Sequence, residues 1–426
     1  MNDTIFALSS GPAPAALAVM RISGPQAGVA LAALAGGQPQ PRRATARTLR
    51  DPEDGTLLDR ALVLWLPGPG TATGEDIAEL HLHGGRAVVA AVERALARIP
   101  GLRRAEAGEF TRRAFANGRI DLAEAEGLAD LLAAETELQR RSALAMASGA
   151  LSRVVEDWRG RALGLSAEVE AALDFSDEDD VSGLPEDFAK RCQALAKDLE
   201  LWLVRPRAEV LREGFQVVIA GPPNAGKSTL FNALVESEAA ITTPIPGTTR
   251  DVLTRPVALD GIPFVFVDTA GLRADSDDLV EQIGIERALA VSRAADLVLW
   301  LGPETEGPQG AWQIDPQCDR ADREQVAAPR HTLSAVTGEG LDALRADLTA
   351  TARAAMPAPG EAALGRRQHQ LLGECRDAVG EASRGHDPLL VAENLRVARL
   401  ALDRLVGRSG TEDMLDALFD RFCIGK

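Results

Sequence analysis

The hydrophobic and polar positions of the first 117 residues form short apolar runs separated by glycine and proline turns. The runs at residues 61–66 and 77–82 predict β-strands, and residues 87–99 have the spacing of a helix. Glycine and proline between such runs end one element and start the next. This part of the chain is therefore predicted to be a mixed α/β domain.

From about residue 120 the pattern becomes helical. Residues 120–173 contain no proline and are rich in alanine, leucine and glutamate, which predicts long helices. The acidic run Asp174–Asp180 interrupts them, and we interpret it as a solvated loop between helices. Further helix is predicted over residues 185–211, with a kink or break near Pro206, because proline cannot donate a helical hydrogen bond.

Strands and helices then alternate from Gly214 to about residue 350, which indicates a mostly parallel sheet. The predicted strands are 215–220, 264–267, 296–301 and 331–334, and the predicted helices are 229–236, 279–292 and 341–351. A proline and glycine linker at residues 357–360 precedes a return to helix over residues 362–426.

The fold class that follows is α/β plus α, with one domain inserted into another. The predicted segments are 1–117 (N-terminal α/β domain), 118–212 (first part of a helical domain), 213–352 (inserted α/β domain) and 353–426 (second part of the helical domain). Such an insertion is tolerated because the two ends of a domain often lie close together.

The amino-acid composition excludes several classes of protein. The chain has 426 residues, 46% of them hydrophobic, and 46 Lys and Arg against 63 Asp and Glu give a net charge of −17. The apolar content excludes global disorder, and the net acidity disfavours non-specific binding to nucleic acid. Four scattered cysteines without a C-x-x-C pair indicate a reducing compartment and argue against zinc. Without a basic N-terminal leader or a long apolar run, we expect a cytoplasmic protein and no membrane segment.

The sequence Gly221-Pro222-Pro223-Asn224-Ala225-Gly226-Lys227-Ser228 matches the phosphate-loop pattern G-x-x-x-x-G-K-[ST] in full. It follows a predicted strand and opens a predicted helix, which is the context that the pattern requires. Main-chain N–H groups at a helix start attract phosphate, Lys227 reaches the outer phosphates, and Ser228 offers its hydroxyl to Mg²⁺. The predicted phosphate-loop ligands are Asn224, Ala225, Gly226, Lys227, Ser228 and Thr229. The alternative is a glycine-rich turn with an exposed lysine.

Two further loops support nucleotide binding. Asp268-Thr269-Ala270-Gly271 follows the apolar strand at 264–267, where a carboxylate can hold the water shell of Mg²⁺ and a glycine amide can contact the γ-phosphate. Between this loop and the phosphate loop lies Gly247-Thr248-Thr249-Arg250-Asp251. A threonine there, assigned as Thr249, can bind Mg²⁺ only when the γ-phosphate is present. The alternative for this segment is a threonine-rich surface turn.

The base is harder to assign. A GTPase normally carries an N-K-x-D motif at a strand end, whose aspartate pairs with guanine. After the strand at 296–301 the chain offers only Gln317-Cys318-Asp319-Arg320-Ala321-Asp322. Asp319 or Asp322 could supply the carboxylate, and Ser334-Ala335 suits the second loop beside the base. An ATPase or a weakly binding scaffold remains an alternative.

Eight segments together match the pattern of a known family. They are Met20–Pro25, Thr73–Leu80, His83-Gly84-Gly85, Gly108–Phe115, Asn117–Glu126, Pro223–Ser228, Gly247–Asp251 and the terminal Phe422-Cys423-Ile424-Gly425-Lys426. This resemblance, to the bacterial tRNA-modifying GTPase family MnmE (also called TrmE), covers nearly the whole chain. It implies an N-terminal domain that dimerises and binds tetrahydrofolate, a split helical domain, and an inserted Ras-like G domain that uses GTP, Mg²⁺ and K⁺.

The resemblance also implies a reaction and partners. With a flavoprotein partner of the MnmG type, which carries FAD and forms a heterotetramer with the homodimer, the family modifies carbon 5 of the wobble uridine of certain tRNAs. A 5,10-methylene- or 5-formyltetrahydrofolate would supply the one-carbon unit. A ribosome-assembly or regulatory GTPase without modification chemistry is the alternative, and the folate-type segments and the terminal motif argue against it.

Individual residues follow from the same resemblance. The K⁺ ligands would be Asn224, Thr243, Ile245 and Thr248, and the nucleotide ligands would further include Gly247, Thr249, Thr269, Ala270 and Gly271. Glu281 would position the attacking water, although a solvated acid at a helix start is its plainer interpretation. Folate would contact Arg21, Glu79, Arg119 and Lys426, although Arg21 and Glu79 could equally form a surface ion pair. Cys423 would act in the modification chemistry.

Overall fold

The computed structural model describes residues 3–174, 184–236, 254–268, 295–303, 307–323, 326–409, 412–420 and 422–425. The chain divides into two compact units. One unit joins Met1–Ala129 with Asp403–Lys426, and the other comprises Asp130–Leu402. Most of the acidic run and the helix predicted at 279–292 lie outside the described residues.

The described residues form two six-stranded sheets and a set of helices. The strands are β1 (Thr4–Leu8), β2 (Leu17–Ser23), β3 (Thr45–Arg50), β4 (Leu57–Leu66), β5 (Ile77–His83), β6 (Leu102–Arg104), β7 (Phe215–Ala220), β8 (Thr254–Leu259), β9 (Ile262–Asp268), β10 (Leu297–Trp300), β11 (Trp312–Asp315) and β12 (His331–Thr332). The helices are α1 (Ala27–Ala35), α2 (Arg86–Ala97), α3 (Glu109–Ala116), α4 (Leu122–Ala133), α5 (Glu137–Ala147), α6 (Ala150–Asp174), α7 (Phe188–Leu203), α8 (Ala208–Glu213), α9 (Lys227–Glu236), α10 (Leu341–Ala355), α11 (Arg366–Arg384), α12 (Pro388–Leu405) and α13 (Glu412–Phe419).

The first sheet has the order β3-β4-β5-β2-β1-β6 and is antiparallel except for the pair of β1 with β6. Alternate residues of a strand point to opposite faces. Met20, Ile22 and Leu80 are fully buried in one core with apolar residues of α1 and α2. Arg21, between Met20 and Ile22, and Glu79, next to Leu80, therefore lie on the other face of the sheet. The strands and the helix predicted in residues 1–117 are confirmed, each with slightly different ends.

The C-terminal residues pack within the first unit. Leu418, Phe419 and Phe422 share a buried cluster with Leu122 of α4. The ring of Phe419 lies 6.2 Å from that of Phe115 at the end of α3. The helix predicted for this part of the tail is present as α13.

In the second unit, α7 and α11 pack along each other. On both helices the buried residues recur about once per turn, so each helix has one apolar face to bury. The predicted break near Pro206 is confirmed, because α7 ends at Leu203 and α8 begins at Ala208. Helix α5 begins with a capping box in which Thr136 and Gln139 bond each other's main-chain N–H groups. Among the helices of the described residues, none is both long and apolar enough to cross a membrane.

The second sheet has the order β12-β11-β10-β7-β9-β8, and only β8 with β9 is antiparallel. The mostly parallel sheet predicted from the alternation is confirmed. The central strand β7 is buried at Val217, Val218 and Ile219 on successive positions, which is why it is continuously apolar. Because parallel strands end at one edge, the carboxyl ends of β7, β9, β10, β11 and β12 lie along it. The sequence pattern does not predict strands β8 and β11.

Candidate functional site

The predicted phosphate loop connects β7 to α9, so the strand–loop–helix context is present. Gly221 has φ +148°, and a Cβ at this position would lie 2.9 Å from the main-chain oxygen of Leu301 after β10. Only glycine therefore lets the chain turn so close to the neighbouring strand end. Asn224 adopts a left-handed conformation with φ 62° in the middle of the loop.

Lys227 lies at the start of α9 and is only 8% exposed. Its Nζ donates hydrogen bonds to the main-chain oxygens of Gly221, at 3.0 Å, and Pro222, at 2.7 Å. The alternative of an exposed lysine in a simple turn is wrong. The ammonium is folded back over the loop, where its positive charge and the N–H groups of the helix start could act on one anion.

The elements for a magnesium ion lie beside this loop. Asp268 is 1% exposed at the end of β9, and it stands opposite Ile219 of β7 in the register of the sheet. Ser228 follows Lys227 in the first turn of α9 and is exposed. A buried carboxylate and a hydroxyl next to a phosphate loop fit Mg²⁺, which prefers oxygen ligands and is bound together with phosphates. Among the described residues no cluster of three His, Cys, Asp or Glu side chains forms a metal cage.

A pocket next to the phosphate loop is lined by residues that the sequence predicts to contact the base. It encloses about 470 Å³, part of it open to solvent, and its wall includes Gly226, Thr229, Leu230, Pro316, Gln317, Asp319, Arg320, Leu333, Ser334, Ala335 and Val336. The structure thus brings Asp319, Ser334 and Ala335 together with the loop, although 93 residues separate Asn224 from Gln317.

Asp319 and Asp322 differ in this pocket. Asp319 lines it, whereas Asp322 does not. The Asp322 carboxylate, 76% exposed, lies 3.4 Å from Nε of Arg320, and that hydrogen bond holds the pKa of Asp322 below its ordinary value. The geometry therefore favours Asp319 as the carboxylate that faces a base.

Several predicted residues lie outside the described residues, and their assignments stay predictions. They are Thr243, Ile245, Gly247, Thr248, Thr249, Thr269, Ala270, Gly271, Glu281 and Lys426. Of the predicted K⁺ ligands, the structure describes Asn224 alone.

In the first unit, Arg21 and Glu79 stand opposite each other on β2 and β5 and form an ion pair of 3.0 Å. Glu79 also lies 3.3 Å from Nε2 of His81, and the Arg21 guanidinium lies 5.8 Å from the ring centre of Phe110. Both members of the pair are partly exposed. The ion-pair alternative is therefore realised in this structure, and a bound folate would have to exchange partners with it. Arg119 donates to the main-chain oxygen of Thr71 at 3.1 Å.

The terminal segment approaches the same sheet. Ile424 forms an antiparallel bridge with Ala107, and Cys423 beside it is exposed. Gly425 has φ +94°, and a Cβ there would lie 2.1 Å from the main-chain oxygen of Leu8. The terminal residues thus lie against the end of β1, whose Ala7 pairs with Arg21. Leu8, which Gly425 contacts, is thus the next residue along β1 after the partner of Arg21.

Sequence reasoning missed Gln317 and Arg320, which line the pocket. One signal could have found Gln317. Counting back from Asp319 in an N-K-x-D frame gives Pro316-Gln317-Cys318-Asp319, so Gln317 stands in the place of the lysine.

Two models of one protein family together match nearly the whole chain. Residues 4–119 match the family described as "GTP-binding protein TrmE N-terminus", and residues 122–423 match the "MnmE helical domain". A protein of Novosphingobium aromaticivorans named tRNA modification GTPase MnmE is 65% identical, with 100% of each chain covered. A protein of the same name from Erythrobacter litoralis is 63% identical, again with 100% of each chain covered.

Among solved structures, the G domain of the FeoB iron transporter of T. maritima is 23% identical and covers 32% of this chain and 98% of its own. The TM-score is 0.24.

Proposed function

This chain belongs to the MnmE family of tRNA modification GTPases, and from that premise we propose how its described sites serve GTP hydrolysis and tRNA modification. It is a GTPase that acts in tRNA modification. The observation that carries the mechanism is the buried Lys227, whose ammonium is held over the phosphate loop at the edge where five parallel strands end. The triphosphate would bind on the N–H groups around it.

For hydrolysis we propose Mg²⁺ and K⁺ as cofactors. Ser228 and Thr249 would bind Mg²⁺, with Asp268 holding its water shell. Asn224, Thr243, Ile245 and Thr248 would hold K⁺ beside the phosphates. A cation in that place stabilises the negative charge that develops on the phosphate oxygens. Glu281 would orient the attacking water.

For guanine we propose Asp319 as the reader. Guanine presents two N–H donors on one edge, and a carboxylate accepts from both. The position of Asp319 in the pocket wall and the engagement of Asp322 by Arg320 support this choice.

For the modification we propose that the N-terminal domain dimerises and binds a 5,10-methylene- or 5-formyltetrahydrofolate. Arg21, Arg119 and Lys426 would pair with its carboxylates, and Glu79 would accept from its pterin ring. The partly exposed Arg21–Glu79 pair on β2 and β5 supports this assignment, because it offers both a cation and a carboxylate. A flavoprotein of the MnmG type would be the partner, and the wobble uridine of tRNA the substrate.

Two experiments test the proposal. Nucleoside analysis of tRNA from cells with and without this protein should show loss of the modified wobble uridine when it is missing. Fully modified tRNA in its absence would leave only a regulatory GTPase. Competition between GTP and ATP for the purified protein should favour GTP by a wide margin, and equal affinity would contradict the guanine assignment.

A further inference from the structure

Exposed arginines gather at one edge of the first sheet. Strand β3 is the edge strand of that sheet in the described residues, and Arg47 and Arg50 lie on it. Arg43 lies in the loop just before β3, and Arg60 lies on β4 opposite Thr48. All four arginine side chains are exposed. These four residues form the arginine edge.

The positive charge of the arginine edge is not neutralised by the acids around it. None of the four guanidinium groups forms an ion pair with a carboxylate of the described part of the chain. The four acids of the β3–β4 hairpin bind other groups, in these pairs: Asp51 and Glu53 with Arg98, Asp54 with the N–H of Thr56, and Asp59 with the N–H of His83. In a chain whose net charge is −17, such a local excess of positive charge attracts an anionic partner.

The spacing of the arginines favours an extended anion over a small one. Arg47 and Arg50 are three residues apart on one strand, which is roughly 10 Å. A single phosphate cannot bridge that distance, whereas a chain of phosphates can contact each guanidinium in turn. Guanidinium groups suit phosphates because their N–H donors form a planar fork that matches two phosphate oxygens.

A neighbouring arginine ties this edge to the loop between β4 and β5. Nη2 of Arg42 donates to the main-chain oxygen of Gly70 at 2.8 Å. The next residue of that loop, Thr71, accepts from Nε of Arg119 at 3.1 Å, and Arg119 is one of the residues proposed above to bind folate. The start of the arginine edge and Arg119 thus approach consecutive residues of one loop.

From these observations we propose that the arginine edge binds the sugar-phosphate backbone of the tRNA substrate. It holds the RNA beside the loop between β4 and β5, next to the proposed folate residues. Contacts to phosphates carry no sequence information, so this surface supplies affinity and position and leaves the choice of nucleotide to other groups. The inference rests on the proposed function, because it takes tRNA as the substrate.

The test removes the charge of the edge without touching the buried core. The triple variant Arg43→Gln, Arg47→Gln, Arg60→Gln is compared with the wild type as full-length protein. Binding of an unmodified tRNA transcript is followed by fluorescence anisotropy over a series of KCl concentrations. A second triple variant with lysine at the same three positions restores the charge. Thermal melting and GTP hydrolysis without tRNA check that each variant is folded.

The matched control removes equal charge from other parts of the surface. Arg86, Arg94 and Arg153 are also exposed, and they lie on α2 and α6. Their triple change to glutamine alters the net charge by the same amount. Any effect of net charge alone on tRNA binding therefore appears equally in both glutamine variants.

We expect the glutamine variant of the arginine edge to bind tRNA at least about tenfold more weakly at low salt. The slope of log Kd against log salt concentration should fall by about two to three, one for each lost phosphate contact. The lysine variant and the control should stay within about threefold of the wild type, because both keep the positive charge of the edge.

Wild-type tRNA affinity in the glutamine variant would overturn the inference, as would an equal loss in the control or a wild-type protein that binds no tRNA at low salt. Charged side chains on an edge strand can also prevent pairing with another chain. Aggregation or an altered oligomeric state with unchanged tRNA affinity would assign the arginines to that role instead. Weaker binding of the flavoprotein alone would assign them to an acidic protein surface. If tRNA binds through the edge but keeps its modified wobble uridine in cells lacking this protein, the proposed function fails and the binding surface stands.

Discussion

Arg113 donates a hydrogen bond of 3.0 Å to Glu109, four residues earlier on α3, and the Arg113 side chain is 1% exposed. The same guanidinium bonds the Asp3 carboxylate at 3.0 Å and the Glu75 carboxylate at 3.2 Å. Glu75 in turn accepts from Ser23 at the end of β2. One buried cation thus ties the chain start, the loop before β5 and α3 together within the first unit.

This network makes the stability of the first unit depend on pH. Burial alone would raise the pKa of Glu109, but hydrogen bonds from Arg103, the N–H of Glu106 and Arg113 outweigh burial and hold that pKa below its ordinary value of 4.5. The contribution of Glu109 to the free energy of unfolding is therefore complete above about pH 4.5, and it is lost as the pH falls through the lowered pKa. Glu109→Gln should cost roughly 1–3 kcal/mol of unfolding free energy at pH 7.

Urea unfolding between pH 7 and pH 3 checks this prediction. The difference between wild type and Glu109→Gln should shrink as the pH falls below 4.5. The exposed neighbour Glu106 serves as the control, and Glu106→Gln should show a much smaller difference at neutral pH. A difference for Glu109→Gln that is the same at every pH would contradict the assignment.

Gly425 approaches Leu8 so closely that adding one methyl group to Gly425 should displace the terminal segment. Gly425→Ala would place a Cβ 2.1 Å from a main-chain oxygen, in a conformation that alanine already disfavours. We expect amide hydrogen exchange of residues 422–425 to speed up at least about tenfold. Gly55→Ala is the matched control, because Gly55 also has a positive φ but nothing lies within 4 Å of its added Cβ. Unchanged exchange in Gly425→Ala would show that the segment is not held at this point.

The pocket geometry predicts a change of base preference. In Asp319→Asn an amide replaces the carboxylate, so one of its two acceptors becomes a donor. Guanine offers two donors and should lose affinity by roughly 10²–10⁴-fold, whereas xanthine offers one donor and one acceptor and should gain. Binding of GTP and XTP measures both effects. Asp322→Asn should leave the preference unchanged, and a switch in that variant instead would move the base reader to Asp322.

The assignment of Glu281 to water activation predicts a separation of binding from chemistry. Glu281→Ala should retain GTP affinity within about threefold and lose at least about 10²-fold in hydrolysis rate. Single-turnover hydrolysis together with nucleotide binding measures the two quantities. Turnover at the wild-type rate would place the catalytic group elsewhere.

The proposed potassium site predicts a dependence on the monovalent cation. Replacing K⁺ by Na⁺ at constant ionic strength should slow GTP hydrolysis by roughly 10–100-fold, because a site of fixed size and ligand number discriminates between ions of different radius. GTP affinity measured in both salts serves as the control. Equal hydrolysis rates in K⁺ and Na⁺ would reject the site.

The sequence alone determined the local features. The phosphate loop, the mostly parallel arrangement of the inserted sheet and the break near Pro206 depend on residues that are neighbours along the chain. Periodicity, glycine and proline fix such features because they act over a few residues. The candidate residues Lys227 and Ser228 therefore lie where the pattern predicts, at the start of α9 after β7.

Only the tertiary structure decided which distant residues meet. Asp319 and Asp322 look alike in sequence, but Asp319 lines the pocket, whereas the carboxylate of Asp322 accepts a hydrogen bond from Arg320. Nothing local to Gln317 indicates a bond to Asn224, and nothing local to Gly425 indicates contact with Leu8. These pairs form because the buried apolar residues of many elements fix the relative positions of the loops, and that sum of small packing terms is not encoded in any one segment.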